Sequence, residues 1–453
     1  MPDRSIWTNE ALAALVEPDR VHRMAYTDQQ IFDLEMERIF ERLWVYIGHE
    51  SQIPNPGDYY LARVGRQPMM MTRDHHGDIH VLYNRCPHRG AQLCSARNGN
   101  AGKTLRCSYH AWTFSLDGKI ESIPAVNGYD GTRFDKNDPQ FQVKRAPRAE
   151  SYRGFFFASL AEDGPSLKDH LGHAATALDQ LIDRAPDGEI EVVGDCFRME
   201  QHSNWKIFLE NQIDVSHPGA THESTGYAAM TVESELEQQG EKPPLEYTFL
   251  SDFQRIGIEG WDKFGTTGHP QGHCTLEGYM GLRPDDPDTK EYVRRMYAAY
   301  GEKRAEEILG TNLHHVLLYP CNSVQPMLQQ LRTIRPVATN LTMSEIWLFR
   351  LKGAPEAIYD RSLAYYYLVN SPSTMVNADD LFNWWKCQHG LESAGGDWVS
   401  LHRNAGHDLP PDERGIIQSA PQTMSELPLR HMMHIWKDYM TDGIAAGYGE
   451  RRG

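Results

Sequence analysis

Apolar residues near the start of the chain recur with the spacing of a helix. Thr27 and Gln30 fit a capping box, which predicts a helix beginning directly after Thr27. The apolar positions that follow lie three or four residues apart, so they would share one buried face. The members of this face are Phe32, Met36, Ile39, Phe40 and Leu43.

From about residue 44 to residue 160, short β-rich runs alternate with Gly, Pro and Asp. This pattern predicts a small antiparallel β-domain. Its strands are expected over 59–64, 69–72, 79–83 and 153–160.

Beyond residue 165, helical and strand patterns mix, which predicts an α+β arrangement with an antiparallel sheet flanked by helices. Helices are expected over 167–182, 204–216, 379–391 and 429–440, and strands over 189–193, 315–319, 344–351 and 364–370.

Charge and length exclude several classes of function. The 453 residues carry a net charge of −17, which argues against binding to nucleic acid or to anionic membranes. No apolar run approaches the length that spans a bilayer, and the first residues lack a signal-peptide pattern. The seven cysteines are odd in number and mostly scattered, which favours a reducing cytoplasm.

Two short loops each offer one cysteine and one histidine: Cys86-Pro-His88 and Cys107-Ser-Tyr-His110. This set is typical of a [2Fe–2S] cluster with two sulfur ligands on one iron and two nitrogen ligands on the other. Such a cluster has a potential of roughly −150 to +300 mV, against about −400 mV when all ligands are thiolates. The loops therefore predict a site that carries single electrons.

A structural zinc ion is the alternative, since two cysteines and two histidines also form a tetrahedral zinc set. A zinc finger, however, groups its cysteines in one pair and its histidines in another, whereas here each loop supplies one of each. The neighbouring Arg89-Gly90 and Trp112 also favour the cluster. Cys94 lies outside the pattern and is interpreted as a buried thiol.

A second group of metal-ligand residues lies between Glu210 and His222. On one helix, residues 210, 214 and 217 would share a stripe about 60° wide. Pro218-Gly219 is expected to break this helix and to let His222 turn back toward His217. Two histidines and one carboxylate on one face of Fe(II) leave positions open for O2 and substrate. The upstream electron carrier favours this interpretation over two structural histidines, because a delivered electron needs an acceptor.

The carboxylate ligand is expected from Asp379 or Asp380, which lie beside two tryptophans at the start of a predicted helix. Acids at this position also serve as caps that offset the helix dipole, and that role suits at least one of them. Spacing alone does not choose between the two.

With both motifs in this order, the chain resembles the large (alpha) subunits of Rieske non-haem iron aromatic-ring-hydroxylating dioxygenases. The resemblance covers nearly the whole length, and the Glu210-Asn-x-x-Asp214 spacing is similar to that of benzoate- and anthranilate-type members. One departure is Ser216, where most members carry Tyr. It leaves the ligand positions intact and weakens inference about the substrate pocket.

The resemblance implies a role for each motif residue. Cys86, His88, Cys107 and His110 would hold the cluster, and His217, His222 and Asp380 the mononuclear Fe(II). Asp214 would connect the two centres across a subunit boundary. The implied domains are an N-terminal helical segment (1–43) packing with the catalytic domain, a Rieske domain (44–160) and a catalytic domain (161–453).

The resemblance also implies the partners and the reaction. No dinucleotide fingerprint is present, so a separate reductase, with or without a ferredoxin, would supply electrons from NAD(P)H. O2 and an aromatic compound, with a mild preference for an aromatic acid, would react to a cis-diol. A homotrimer, with a small beta subunit, would be the active assembly. A Rieske monooxygenase is the alternative enzyme, and a pure electron carrier is disfavoured because roughly 290 residues follow the β-domain.

Overall fold

The computed structural model describes residues 7–260, 262, 264–278, 283–420 and 424–441. These residues divide into two compact units. The smaller unit is Met36–His170, and the larger one combines the described residues up to Glu35 with those from Leu171 onward. The three-part division expected from the sequence stays a prediction.

The helices of the described residues are mostly short, apart from a few of 14 to 18 residues. In chain order they are α1 Asn9–Ala13, α2 Met24–Thr27, α3 Gln29–Glu35, α4 Leu167–Leu171, α5 Thr176–Asp183, α6 Trp205–Gln212, α7 Pro218–Thr221, α8 Glu223–Gln238, α9 Leu245–Arg255, α10 Gly257–Gly260, α11 Pro287–Tyr300, α12 Glu302–Gly310, α13 Glu356–Asn370, α14 Met375–Glu392 and α15 Leu427–Thr441.

The strands pair antiparallel wherever the described residues form a ladder. In chain order they are β1 Val16–Glu17, β2 Arg20–His22, β3 Val45–His49, β4 Asp58–Val64, β5 Gln67–Arg73, β6 Ile79–Tyr83, β7 Asn98–Asn100, β8 Thr104–Arg106, β9 Thr113–Ser115, β10 Ile120–Ser122, β11 Arg148–Tyr152, β12 Phe155–Ser159, β13 Ile190–Val192, β14 Phe197–Gln201, β15 Gly265–Gly268, β16 Cys274–Glu277, β17 Leu313–Leu318, β18 Asn322–Gln325, β19 Gln330–Ala338, β20 Leu341–Leu351, β21 Trp398–Ser400 and β22 Ile417–Gln418.

The smaller unit is built from three small sheets, with strand orders β6-β5-β4-β7, β10-β9-β8 and β11-β12-β3. Its core includes Leu82, Leu105, Phe114 and the two cysteines Cys86 and Cys107. The predicted strands at 59–64, 69–72 and 79–83 are confirmed as β4, β5 and β6.

The larger unit is organised around one sheet with the order β13-β20-β19-β18-β17-β16-β15-β22, in which β14 also pairs with β20. Its longest ladder joins β19 and β20, from Gln330 opposite Leu348 to Ala338 opposite Leu341. Helix α13 packs against this sheet through Tyr359 and Tyr366, which contact Ile346 and Leu348 of β20. The α+β class with an antiparallel sheet flanked by helices is therefore confirmed.

Two local predictions were wrong. The strand expected over 364–370 lies inside α13, because Tyr359, Ser362, Tyr366 and Val369 are buried at helical spacing although aromatic residues favour strands. The helix expected after Thr27 is α3, and its N-cap is Asp28 instead of Thr27. The Asp28 carboxylate accepts hydrogen bonds from the N–H groups of residues 30 and 31, at 2.8 and 3.0 Å.

A buried carboxylate fixes the N-terminal helix to the rest of the larger unit. Glu35, at the end of α3, accepts hydrogen bonds from the indole N–H groups of Trp205 and Trp436, both at 2.7 Å. It also pairs with the ammonium of Lys206, and both charged side chains are fully buried. Since each charge satisfies the other, the helices α3, α6 and α15 meet without an uncompensated buried ion.

Candidate metal centres

The two cysteine-histidine loops of the smaller unit share one backbone design. Cys86 N–H donates to the carbonyl of Ala91 at 2.8 Å, and Gly90 N–H donates back to the carbonyl of Cys86 at 3.0 Å. Cys107 makes the same two bonds: its N–H donates to the carbonyl of Trp112 at 2.8 Å, and its carbonyl accepts from the N–H of Ala111 at 3.0 Å. The fourth residue after each cysteine has a positive φ, +78° at Gly90 and +55° at Ala111. This left-handed turn costs a non-glycine residue free energy, so the tight loop at Ala111 is held by its surroundings.

The donor set of these loops fits a [2Fe–2S] cluster. The thiols of Cys86 and Cys107 are buried, and the rings of His88 and His110 lie 4.6 Å apart. Burial, together with the neighbouring Cys107 and against opposing backbone N–H groups, raises the pKa of the Cys86 thiol to about 11. A positive metal centre would remove this barrier to ionisation. Both Nδ1 atoms are buried without a hydrogen-bond partner among the described residues.

The surroundings of the loops keep the imidazoles in place. The ring of His88 stacks on Trp112 with centroids 4.8 Å apart and an angle of 3° between planes. Burial, helped by the charges of His110 and Arg89, lowers the pKa of His88, which favours the neutral form that binds a metal. Cys94 is a buried thiol, as expected, and its amide N–H and carbonyl both bond the side chain of Asn84.

The second group of residues does not lie on one helix, so the predicted helix over 204–216 is too long. Helix α6 ends at Gln212, and the carboxylate of Asp214 then accepts hydrogen bonds from the N–H groups of Ser216 and His217, at 2.8 and 3.2 Å. Pro218 does not break a helix but begins α7 as its first residue, where no N–H is needed. His217 and His222 thus flank a helix of one turn, with ring centroids 5.7 Å apart.

Helix α14 brings a carboxylate to these histidines. Ligand atoms of His217, His222 and Asp380 all lie within 4.8 Å of one another. Both Nε2 atoms face the same oxygen, Asp380 Oδ1, at 3.9 Å from His217 and 3.4 Å from His222. Two neutral nitrogen donors and one carboxylate oxygen, directed at one point, fit a divalent iron with further positions open.

Asp379 lies on the other side of the same histidine. Its Oδ2 is 3.5 Å from Nδ1 of His222, the nitrogen that faces away from Asp380. A carboxylate at the outer nitrogen of a ligating histidine fixes the ring and increases its basicity. The geometry thus assigns different surroundings to the two adjacent acids, which the sequence could not do.

The charges of this group stabilise one another. Burial opposes ionisation of Asp380, but hydrogen bonding and charge from His222 outweigh it and lower its pKa. For His222, the effect of burial is likewise outweighed by Asp380 and Asp379, so its pKa is raised. The two carboxylates thus favour a positive charge beside His222, and a cation at the point between the three side chains would supply it.

Asp214 contacts His217 from the side opposite to Asp380. Its Oδ2 lies 3.4 Å from Nδ1 of His217, and its Oδ1 also accepts a hydrogen bond from the Ser216 hydroxyl at 2.8 Å. Burial opposes ionisation, but the hydrogen bonds from His217 and Ser216 hold the pKa of Asp214 at about 2. The carboxylate is therefore ionised at neutral pH and orients the His217 ring.

A cavity opens beside the three convergent side chains. Asn211 and Gln212 line it, whereas Phe208 of the same helix packs edge-on against Trp384. The lining also includes residues that the sequence did not point to: His314, His315, Gln325, Arg332, Tyr365, Val369 and Asn370. They come from β17, β18, β19 and α13, so only the fold brings them together.

Two family models match the chain. The Rieske [2Fe-2S] domain matches residues 43–141, and the ring hydroxylating alpha subunit (catalytic domain) matches residues 190–442.

In the described part of the chain, no helix is both long and apolar enough to cross a membrane.

Relatives of known function align over most of the chain. The toluate 1,2-dioxygenase subunit alpha of Pseudomonas putida is 34% identical, covering 88% of this chain and 86% of the relative. The 2-halobenzoate 1,2-dioxygenase large subunit of Burkholderia cepacia is 31% identical, covering 94% of this chain and 90% of the relative.

Solved structures share the fold. A naphthalene 1,2-dioxygenase variant bound to phenanthrene superposes with a TM-score of 0.79, at 23% identity and 94% coverage of both chains. A quaternary ammonium Rieske monooxygenase superposes with a TM-score of 0.66, at 20% identity, covering 96% of this chain and 98% of the other. By its matched domains and aligned relatives, the chain belongs to the alpha subunits of the Rieske-type ring-hydroxylating oxygenases, oxidoreductases with a [2Fe–2S] cluster and a mononuclear non-haem iron.

Proposed function

We propose that this chain is the terminal oxygenase component that adds both atoms of O2 to an aromatic acid and forms a cis-diol. The observation that carries the proposal is the convergence of His217, His222 and Asp380 beside a cavity in a chain that also has a Rieske domain. The names of two aligned relatives, a toluate and a 2-halobenzoate dioxygenase, support an aromatic acid as the substrate.

In this proposal, each candidate residue has one task. Cys86, His88, Cys107 and His110 hold the cluster. His217, His222 and Asp380 hold the iron, and Asp214 orients His217 through the 3.4 Å contact with its Nδ1. When bound, the cluster supplies single electrons, and the iron supplies the open positions at which O2 is activated.

We further propose how the protein is organised. The N-terminal segment 1–43 and residues 161–453 form the catalytic part, and residues 44–160 form the Rieske domain. Electrons come from NAD(P)H through a separate reductase, with or without a ferredoxin. The active assembly is a homotrimer of this chain together with a small beta subunit, and Asp214 connects the iron site of one subunit to a cluster histidine of its neighbour. The protein would act in the cytoplasm.

Product analysis with isotopically labelled O2 tests the reaction. Purified protein, a generic Rieske reductase and NADH would be supplied with a panel of aromatic acids and hydrocarbons. We expect oxygen uptake coupled to a cis-diol that carries two labelled atoms. Failure of every aromatic compound to react, in protein loaded with both metal centres, would contradict the proposal.

A monooxygenase is the second candidate, because the fold is shared with a quaternary ammonium Rieske monooxygenase. That similarity extends to the fold alone, since the two chains are 20% identical. The same labelling experiment separates the candidates: a hydroxylated or dealkylated product with one labelled atom would favour the monooxygenase.

A further inference from the structure

One cationic side chain lies in the wall of the catalytic cavity without an acidic partner. Arg332, the third residue of β19, is partly buried and lines the cavity together with the candidate iron ligands. Its guanidinium donates to Gln212 Oε1 at 3.0 Å, to Gln325 Oε1 at 3.1 Å and to Asn370 Oδ1 at 2.9 Å. All three acceptors are neutral amides.

No carboxylate among the described residues contacts the guanidinium of Arg332 directly. Burial lowers the pKa of Arg332, and the charge of Asp380, which acts on it from a longer distance, partly opposes this effect. A buried guanidinium is normally paired, because removing a charge from water is costly. An arginine has five N–H donors, and the three amides take only part of them. The Nε atom has no partner in the described part of the chain.

The other ionisable groups of the cavity do not supply the missing negative charge. Burial holds the pKa of His314 at about 3 and that of His315 well below its ordinary value, so both rings are neutral. The carboxylates of Asp214 and Asp380 face the iron-binding histidines, and so does that of Asp379, which lies at the outer nitrogen of His222. These three acids are engaged at the iron site, so Arg332 is a cation of the cavity wall that no carboxylate among the described residues contacts directly.

A continuous series of hydrogen bonds connects Arg332 to the iron site. Gln212, which accepts from Arg332, donates through its Nε2 to Asn211 Oδ1 at 3.0 Å. Asn211 in turn donates through its Nδ2 to Asp380 Oδ1 at 3.1 Å, the oxygen that both histidines face. The guanidinium is therefore held at a fixed position relative to the iron ligands, as a group that positions a substrate must be.

We infer that Arg332 binds the carboxylate of the aromatic acid and so selects acids over uncharged aromatic compounds. The inference rests on the proposed function and adds the residue that makes the selection. A planar guanidinium suits a planar carboxylate, and the charge-assisted hydrogen bonds are stronger than those to neutral groups. The apolar side chains of Val369 and Leu276 in the same cavity would face the ring.

Binding without turnover tests the inference. Holoenzyme with oxidised cluster and Fe(II) would be titrated under anaerobic conditions with benzoate and with benzamide, which has the same shape and no charge. We expect the wild type to prefer benzoate, and Arg332→Gln to bind benzoate about 10- to 100-fold more weakly while its affinity for benzamide is unchanged. Arg332→Lys, which keeps the charge, should retain part of the preference.

The control is Arg350→Gln on the neighbouring strand β20. Arg350 pairs with Glu191 and Glu356 and does not line the cavity, so this variant should keep the full preference. The cluster absorbance and the circular dichroism of each variant show whether it is folded. If Arg332→Gln does not fold, Arg332→Lys is compared with the wild type in its place.

The inference is overturned if the wild type binds benzamide as tightly as benzoate, or if Arg332→Gln keeps the wild-type preference. These results leave the reaction itself untouched, because no oxygen is consumed in the titration. Conversely, if the protein prefers benzoate to benzamide as expected but oxygenates no aromatic compound, the proposed function is contradicted and the role of Arg332 in binding is not.

Discussion

The two adjacent acids of α14 allow a sharp test of the candidate iron site. Asp380 Oδ1 faces Nε2 of both histidines, at 3.9 and 3.4 Å, whereas Asp379 faces only the outer nitrogen of His222, at 3.5 Å. Asp380→Ala removes one of the three candidate iron ligands, and Asp379→Ala removes a carboxylate next to one of the other two. The two changes delete the same chemical group from neighbouring positions, so each is the control for the other.

The magnitudes follow from these positions. Loss of a carboxylate that supports a ligating histidine typically weakens metal binding 10- to 100-fold, which is about 1.4–2.7 kcal/mol. Asp380→Ala should weaken it further, because the lost carboxylate oxygen is itself a candidate donor and its negative charge would offset that of the cation. We therefore expect Asp380→Ala to lose its mononuclear iron on desalting, while Asp379→Ala retains iron with reduced affinity.

Iron counted per chain, together with competition against an Fe(II) chelator, measures both effects. The visible absorbance of the [2Fe–2S] cluster serves as an internal reference, since its candidate ligands lie in the other compact unit. The reasoning would be refuted if Asp379→Ala lost more iron than Asp380→Ala, or if Asp380→Ala bound iron like the wild type.

Three further changes probe other parts of the chain. Asp214→Ala should keep both the cluster colour and the iron but lose turnover; turnover at the wild-type rate would contradict a bridging role. Glu35→Ala leaves Lys206 as a buried unpaired charge and should reduce stability by about 3–5 kcal/mol, seen as a lower apparent unfolding temperature, whereas Glu17→Ala, which breaks an exposed pair, should leave the unfolding temperature close to that of the wild type. Burial raises the pKa of Glu210 from 4.5 to about 7. In the unfolded chain the Glu210 carboxyl ionises at a lower pH than in the folded protein. The wild type should therefore lose stability relative to Glu210→Gln as the pH rises from about 4.5 to about 7, and a constant difference in unfolding temperature would contradict this.

The sequence was informative where ligands lie close together along the chain. The Cys86 and Cys107 loops and the His217–His222 pair were recognisable from spacing, because a short segment restricts where its own side chains can reach. Spacing did not separate Asp379 from Asp380, since the direction of a helical side chain depends on how the helix packs, and only the family resemblance pointed to Asp380. Arg332 was missed because its amide partners come from three separate elements.

Local backbone competition explains the misjudged helix before His217. The carboxylate of Asp214 takes the N–H groups of Ser216 and His217, which a continuing helix would have directed to its own carbonyls. The sequence Asp-Val-Ser-His-Pro contains the signal: an acid two residues before a serine, then a proline suited to the first turn of a new helix.

The buried Glu35 has a consequence for biosynthesis. Its partners at Trp205 and Trp436 are encoded far downstream, and residues 36–170 form a compact unit of their own in between. Domains generally fold as units while the chain leaves the ribosome. We therefore expect the cysteine-bearing unit to fold on the nascent polypeptide, while the carboxylate of Glu35 is still hydrated. The larger unit can bury this carboxylate only after α15 has been translated, so a chain that ends before α15 would leave it exposed to water.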